Sequence, residues 1–138
     1  MEYDIVEMVR LDIGDVIELL KSCNLYYPEV DTPDNFERKL RLDKSLMLVA
    51  RDKDRIIGFV MASYDGWVAL VWHLGVLPAF RGQGVAKALI TEIETRLKRR
   101  GANYSYGLVK LINTSMRSII SKWGYLEKDG VIVEEKQI

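Results

Sequence analysis

A strand that runs directly into a glycine turn and then an amphipathic helix constrains this chain more than any other stretch. Residues 68–77 read Val-Ala-Leu-Val-Trp-His-Leu-Gly-Val-Leu, an apolar run of the length and β-branched character of a buried strand. Pro78 ends the run, because it brings no N–H to a ladder and restricts the residue before it. Arg81-Gly-Gln-Gly84 then turns the chain. From Val85 the apolar residues Val85, Ala86, Leu89, Ile90, Ile93 and Leu97 fall at helical spacing. Such a junction gathers free backbone N–H groups at one spot and aims a helix dipole at it, which suits a phosphate. An ordinary strand-to-helix turn is the plain alternative.

The rest of the chain supplies a frame for that junction. Tyr3–Val9 reads as an opening strand. Asp12 is placed to cap a helix whose inner face is Ile13, Val16, Ile17 and Leu20, as the 3.6-residue period requires. Residues 24–31 read as a loop. Thr32-Pro33 starts a second helix, with a capping hydroxyl followed by proline at the first helical position. Leu46–Ala50 and Ile56–Tyr64 form a hairpin around Asp52-Lys-Asp54, with Gly58 marking a bulge, and Asp65-Gly66 returns the chain into residues 68–77. The central helix runs to Arg100, its last turn crowded with Arg96, Lys98, Arg99 and Arg100, a basic end that matches the helix dipole. A strand over 104–109, a helix over 113–123 and a last hairpin over 125–133 around Asp129-Gly130 complete the order. Consecutive hairpins followed by a strand–helix–strand step predict an α/β domain with a mixed central sheet of about six to seven strands and helices on both faces.

Composition narrows the function. A length of 138 residues suits a single domain, 1–138, with its own core. Twenty basic residues against twenty acidic ones leave no general field to draw in nucleic acid or an anionic membrane. Cys23 is the single cysteine and His73 the single histidine, which argues against disulfides and a metal site and suits a reducing, cytoplasmic setting. The first residues lack the basic start of a signal peptide, and no apolar run approaches ~18 residues.

Among phosphate loops, a dinucleotide fingerprint would require a third glycine at Lys87, and a Walker loop would require Gly-Lys-Ser/Thr; neither is present. Arg81-Gly-Gln-Gly-Val-Ala86, preceded by Leu74-Gly-Val-x-Pro78, resembles instead motif A of the GNAT superfamily of acyl-CoA-dependent N-acetyltransferases. Asn113 with Gly124-Tyr125 resembles that family's motif B, and the element order is similar over nearly the whole chain. Glu37-Arg-Lys39 and Met61-x-x-Tyr-Asp-Gly66 resemble a bacterial and archaeal subgroup of poorly defined substrate. The resemblance implies the GNAT fold and acetyl-CoA as acyl donor. Its pyrophosphate would lie on the amides of Gly82, Gln83, Gly84, Val85 and Ala86, with Arg81 beside the same anion. Its pantetheine would run along Leu74, Gly75 and Val76, where the next strand splays away, and Asn113 would hold it from the other side unless Asn113 serves only as a helix cap. The backbone of Leu74 would polarise the thioester carbonyl, and Gly75 suits a bulge there.

Transfer to an amine also needs proton chemistry. The family's usual acid is a tyrosine seven residues after the motif-B asparagine, and here that position, on the cofactor path, is Ile120, which carries no proton. Tyr106 is the substitute donor of choice. For a base, strand parity sets Leu70, Trp72 and Leu74 on one face and His73 on the other unless a bulge reverses it; His73 is either a proton shuttle or a satisfied structural histidine. Asp65 is an amine ligand or base candidate in a turn where Asp-Gly is expected anyway. Tyr26, Tyr27, Tyr64 and Trp72 are candidates to line an acceptor pocket with Asp65, while Glu29 and Asp31 read as solvated loop acids with a cationic acceptor as the alternative. The expectation is an acetyl-CoA:amine N-acetyltransferase acting in a ternary complex on a small or peptide amine, with a homodimer open to it as in many GNAT proteins. A GNAT-fold acyl-CoA-binding regulatory module is the second reading, and a nucleotide-phosphate-binding interaction domain the third.

Overall fold

The computed structural model describes residues 2–138. The chain runs β1 (Asp4–Glu7), a 3-10 turn, α1 (Ile13–Ser22), α2 (Pro33–Asp43), β2 (Met47–Asp52), β3 (Arg55–Tyr64), β4 (Ala69–Val76), α3 (Val85–Arg99), β5 (Ser105–Gly107) and α4 (Thr114–Lys122). It divides into two units, one ending at Gly107 and the other spanning Leu108–Ile138.

In the first unit the strands lie in sequence order β1-β2-β3-β4-β5. Tight connections at 53–54 and 65–68 make the β2–β3 and β3–β4 pairings antiparallel, and β1 is antiparallel to β2 across the longer connection through α1 and α2. The β4–β5 pairing is parallel, and α3 supplies the long crossover that a parallel pair needs. Two glycines show how the layers stack. A Cβ on Gly58 would stand 2.9 Å from Leu89 Cδ1 and 3.2 Å from Val85 Cγ1, both on α3, whereas a Cβ on Gly75 would stand 2.8 Å from Leu25 Cδ1, just past α1. So α3 covers one face of the sheet and α1 with α2 covers the other. On that second face Ile13, Val16, Ile17 and Leu20 of α1 bury with Phe36, Met47, Val49 and Phe59, and the Phe36 and Phe59 rings meet edge-on at 6.2 Å. Burying eight such side chains is the main reason α1 and α2, short helices by themselves, are held.

Capping follows the sequence at α2, where Thr32 Oγ1 accepts the Asn35 N–H at 3.1 Å behind Pro33. At α1 it does not. Asp12 is buried and makes no cap bond to α1; its Oδ2 accepts from the Val9 N–H at 2.9 Å and from Arg51 Nη2 at 2.7 Å, because a cation on β2 and the preceding turn compete for the carboxylate. The basic end of α3 also does more than match a dipole. Arg96 reaches Glu7 on β1 at 2.7 Å and the Ser45 carbonyl at 3.0 Å, and Arg100 grips both oxygens of Asp43.

Five strands are present among the described residues, fewer than six to seven. The 104–109 strand shortens to Ser105–Gly107, and residues 125–133 form no strand pair. Gly130 does take the left-handed turn conformation, φ +81°, but Val131, Ile132 and Val133 are all exposed. A turn signal alone does not hold a two-stranded ribbon that has no surface to bury one face against.

Candidate functional site

β4 is where the sheet opens. Its pairing with β5 covers only Ala69–Ser105, Leu70–Tyr106 and Val71–Gly107, so residues 72–76 have no strand partner on that edge among the described residues. Pairing with β3 passes from Met61–Trp72 to Phe59–Gly75, which sets two residues, His73 and Leu74, against Val60 alone. That is a β-bulge. Its location differs from the one expected at Gly75: His73 takes the left-handed conformation, φ +58°, at a cost of about 1 kcal/mol for a residue with a Cβ. Gly75 is small for another reason, the close approach of Leu25 and the Cys23 sulfur. The extra residue resets the alternation, so that Trp72, paired with Met61 on the α1–α2 side, and His73 both serve the same face.

The His73 ring shows what that reset does. It is buried, with Nε2 2.8 Å from Asp31 Oδ1. Asp31 Oδ2 accepts the Tyr27 N–H at 2.7 Å, and the Tyr27 ring stacks on the imidazole at 5.7 Å. The Trp72 ring meets His73 edge-on at 6.2 Å. Asp31 is therefore not the solvated loop acid expected. It is 2% exposed, drawn in by a partner 42 residues away that no local pattern announces.

Beyond the open edge, Gly82 and Gly84 adopt φ +77° and +83°, conformations that glycine alone takes without strain. Gly84 is the N-cap of α3. Among the described residues, the amides of Gly82, Gln83, Gly84, Val85 and Ala86 donate no hydrogen bond, as expected for the unpaired N–H groups of a helix start. A Cβ on Gly82 or Gly84 would meet nothing within 4 Å. The turn is thus open on its outer side, with five donors and a helix dipole, and fits an anion. Arg81 is exposed, and its Nε donates to the Val76 carbonyl at 2.9 Å, which ties the turn to the end of β4. The same carbonyl accepts from Cys23 Sγ at 3.4 Å. Burial pushes the Cys23 thiol pKa up, and the adjacent Arg81 guanidinium opposes that shift.

The other candidate residues divide by position. Tyr26 packs on the α1–α2 core with Lys21 Nζ 5.0 Å from its ring centre, and so lies on the side of Tyr27, Trp72 and His73. Tyr106 is partly exposed, pairs with Leu70 and contacts the Tyr104 ring at 5.4 Å. Tyr64 pairs with Ala69, and its hydroxyl points toward Gly101 at the far end of α3, on the opposite face from Trp72. Asp65 is exposed at the hairpin tip, where Oδ1 accepts the Trp67 N–H at 3.2 Å. In the second unit, Asn113 caps α4 by accepting the Met116 N–H at 3.2 Å, and Ile120 lies in that helix.

The fold is shared with acetyltransferases whose structures were solved with coenzyme A or a coenzyme A analogue. PaiA N-acetyltransferase from Thermoplasma acidophilum in complex with coenzyme A superposes with a TM-score of 0.84 at 19% identity, over 95% of this chain and 94% of that one. AAC(6')-Iy, in complex with the bisubstrate analogue CoA-S-monomethyl-acetylneamine, gives 0.79 at 23% over the whole of both chains. The family model for the acetyltransferase (GNAT) family matches residues 13–125, and the chain belongs to that family. Among relatives, acetyltransferase SG1711 of Sodalis glossinidius is 35% identical over 92% of this chain and 89% of its own length; acetyltransferase YE1169 of Yersinia enterocolitica is 36% identical over 92% and 90%. No helix of the described residues is long and apolar enough to cross a membrane, and no group of three or more His, Cys, Asp or Glu residues among them could hold a metal ion.

Proposed function

We propose that the protein transfers the acetyl group of acetyl-CoA to a primary amine by direct attack in a ternary complex, the whole chain working as one catalytic domain in a reducing cytosol. The observation that carries this reading is the pairing of five undonated amides at 82–86 with an adjacent strand edge, 72–76, that lacks a partner. Acetyl-CoA supplies the activated acyl group. The amides of Gly82, Gln83, Gly84, Val85 and Ala86 bind its pyrophosphate, assisted by the α3 dipole. Leu74, Gly75 and Val76 offer main-chain groups to the pantetheine amides. The Leu74 N–H, at the bulge, is the donor for the thioester oxygen, where charge develops during attack. Trp72, Tyr26 and Tyr27 favour an acceptor amine on the α1–α2 face.

Ile120, at the place of the family's usual acid tyrosine, favours one second reading: an acyl-CoA-binding module that does little chemistry. Coenzyme A release separates the two. Acetyl-CoA is incubated with tyramine, spermidine, L-2,4-diaminobutyrate and a tripeptide with a free N-terminus, and the new thiol is followed. Release above the water background with any of these supports transfer. Tight acetyl-CoA binding with background release throughout supports the module.

A further inference from the structure

The α1–α2 connection and β4 meet through a pair of side chains that the cofactor track does not use. Asp31 accepts at both oxygens, from Nε2 of His73 at 2.8 Å and from the Tyr27 N–H at 2.7 Å. A carboxylate only accepts, so Nε2 of the neutral ring carries the proton and Nδ1 keeps its lone pair. Among the described residues no buried polar side-chain atom lacks a hydrogen-bond partner. Nδ1 makes no hydrogen bond among the described residues, so it is not sealed off from solvent although the ring is buried. The bulge fixes where that atom sits. His73 immediately precedes Leu74, at φ +58°, on the stretch of β4 that leaves β5.

We propose that Asp31 and His73 form a base dyad: Asp31 is a positioning residue that holds the Nε2–H tautomer, and Nδ1 of His73 takes a proton from the acceptor ammonium. This rests on the transferase reading above and adds the base to it. One N–H bond of the ammonium breaks toward Nδ1, directly or through one water. The freed lone pair forms the bond to the acetyl carbon as the C–S bond breaks. The departing thiolate takes the second proton of that nitrogen, and the imidazolium returns its proton to solvent. Asp31 stabilises the imidazolium while it exists, in the way an orienting carboxylate serves a catalytic histidine. The titratable groups facing the ring are Asp31 and Tyr27; Cys23 and Arg81 lie further along β4, at Gly75 and Val76. The αL backbone then has a purpose, since a histidine on an unbulged strand would fall on the α3 side.

Because His73 is the only histidine, a long-range proton–nitrogen spectrum of the uniformly labelled protein with acetyl-CoA reads this ring without assignment. The expected result is a protonated Nε2 and an unprotonated Nδ1 near neutral pH, with Asp31→Asn shifting population toward the other tautomer. A proton on Nδ1 in the wild-type protein overturns the proposal. In turnover with the amine that releases most thiol, His73→Gln is expected to lower kcat about 10²-fold, with the acetyl-CoA Kd unchanged. Asp31→Asn is expected to lower kcat about tenfold with little change in KM. Retention of kcat within twofold by His73→Gln also overturns it. The tautomer reading tests the Asp31–His73 pairing even if no amine is acetylated and the kcat of His73→Gln tests the base, so failure of the dyad and failure of the transferase reading are told apart.

Discussion

Gly84 caps α3 in the left-handed conformation, and the space where its Cβ would stand is open to at least 4 Å. Any side chain placed there is therefore penalised by the backbone and not by a clash. That separates two effects usually confounded in phosphate loops. Gly84→Gln and Gly84→Glu have the same shape and the same φ of +83° to adopt. Each should lose about 1–2 kcal/mol of stability, a fall of about 3–6 °C in Tm for a chain of this size. The variants differ in one charge. A carboxylate ~7 Å from a pyrophosphate bearing about two charges would meet ~5 kcal/mol at an effective dielectric of ~20. Screening over ~8 Å and the freedom of an exposed side chain leave about 1–2 kcal/mol, so the glutamate variant should bind acetyl-CoA about 5- to 30-fold more weakly than the glutamine variant. Calorimetry at two salt concentrations and thermal melts of both proteins make the test, with the gap narrowing at high salt. Equal affinities for the two variants, at equal Tm, would refute the assignment of the pyrophosphate to the 82–86 amides.

The layer contacts predict opposite signs at two other glycines. Gly58→Ala would press a methyl against Leu89 and the Gly75 carbonyl and should lower stability by about 1–3 kcal/mol. Gly14→Ala, in α1 with nothing within 4 Å, should raise it by about 0.5 kcal/mol; denaturant melts of both decide whether packing or propensity governs. A pH series tests the tie between α2 and α3. Burial alone would raise the Asp43 carboxyl pKa, but the hydrogen bonds from Arg100 and Ser45 hold it below its ordinary value. A depressed folded-state pKa means that stability is full above the unfolded value of about 3.9 and is lost as pH falls through the folded one. Arg100→Gln should thus cost about 0.5–1 kcal/mol at pH 7, discounted because Arg100 is more than a third exposed, and should flatten the acid limb. An unchanged acid limb in urea melts would show that the pair contributes nothing.

The strand, the Pro78 stop, the glycine turn and α3 are legible in the sequence alone because each is local. Apolar period, a missing N–H and residues free to take positive φ act within a few positions of one another, and tertiary context reinforces them. The family resemblance is legible from this stretch only together with Asn113, Gly124-Tyr125 and the element order, and the family model spans residues 13–125. Tertiary structure decided the rest of the site. Nothing in residues 68–77 says that β5 stops pairing at Val71, because that depends on where another strand ends. The bulge lies at His73 and not at Gly75, whose small size serves the close approach of Cys23 and Leu25, and Asp31 was taken out of solvent by a ring 42 residues distant. Likewise Asp129-Gly130 is a sound turn signal with no ribbon attached, for a turn sets chain direction and only a buried face holds two strands together. Short-range stereochemistry therefore placed the glycine turn, while long-range packing chose which side chains stand along the open stretch of β4.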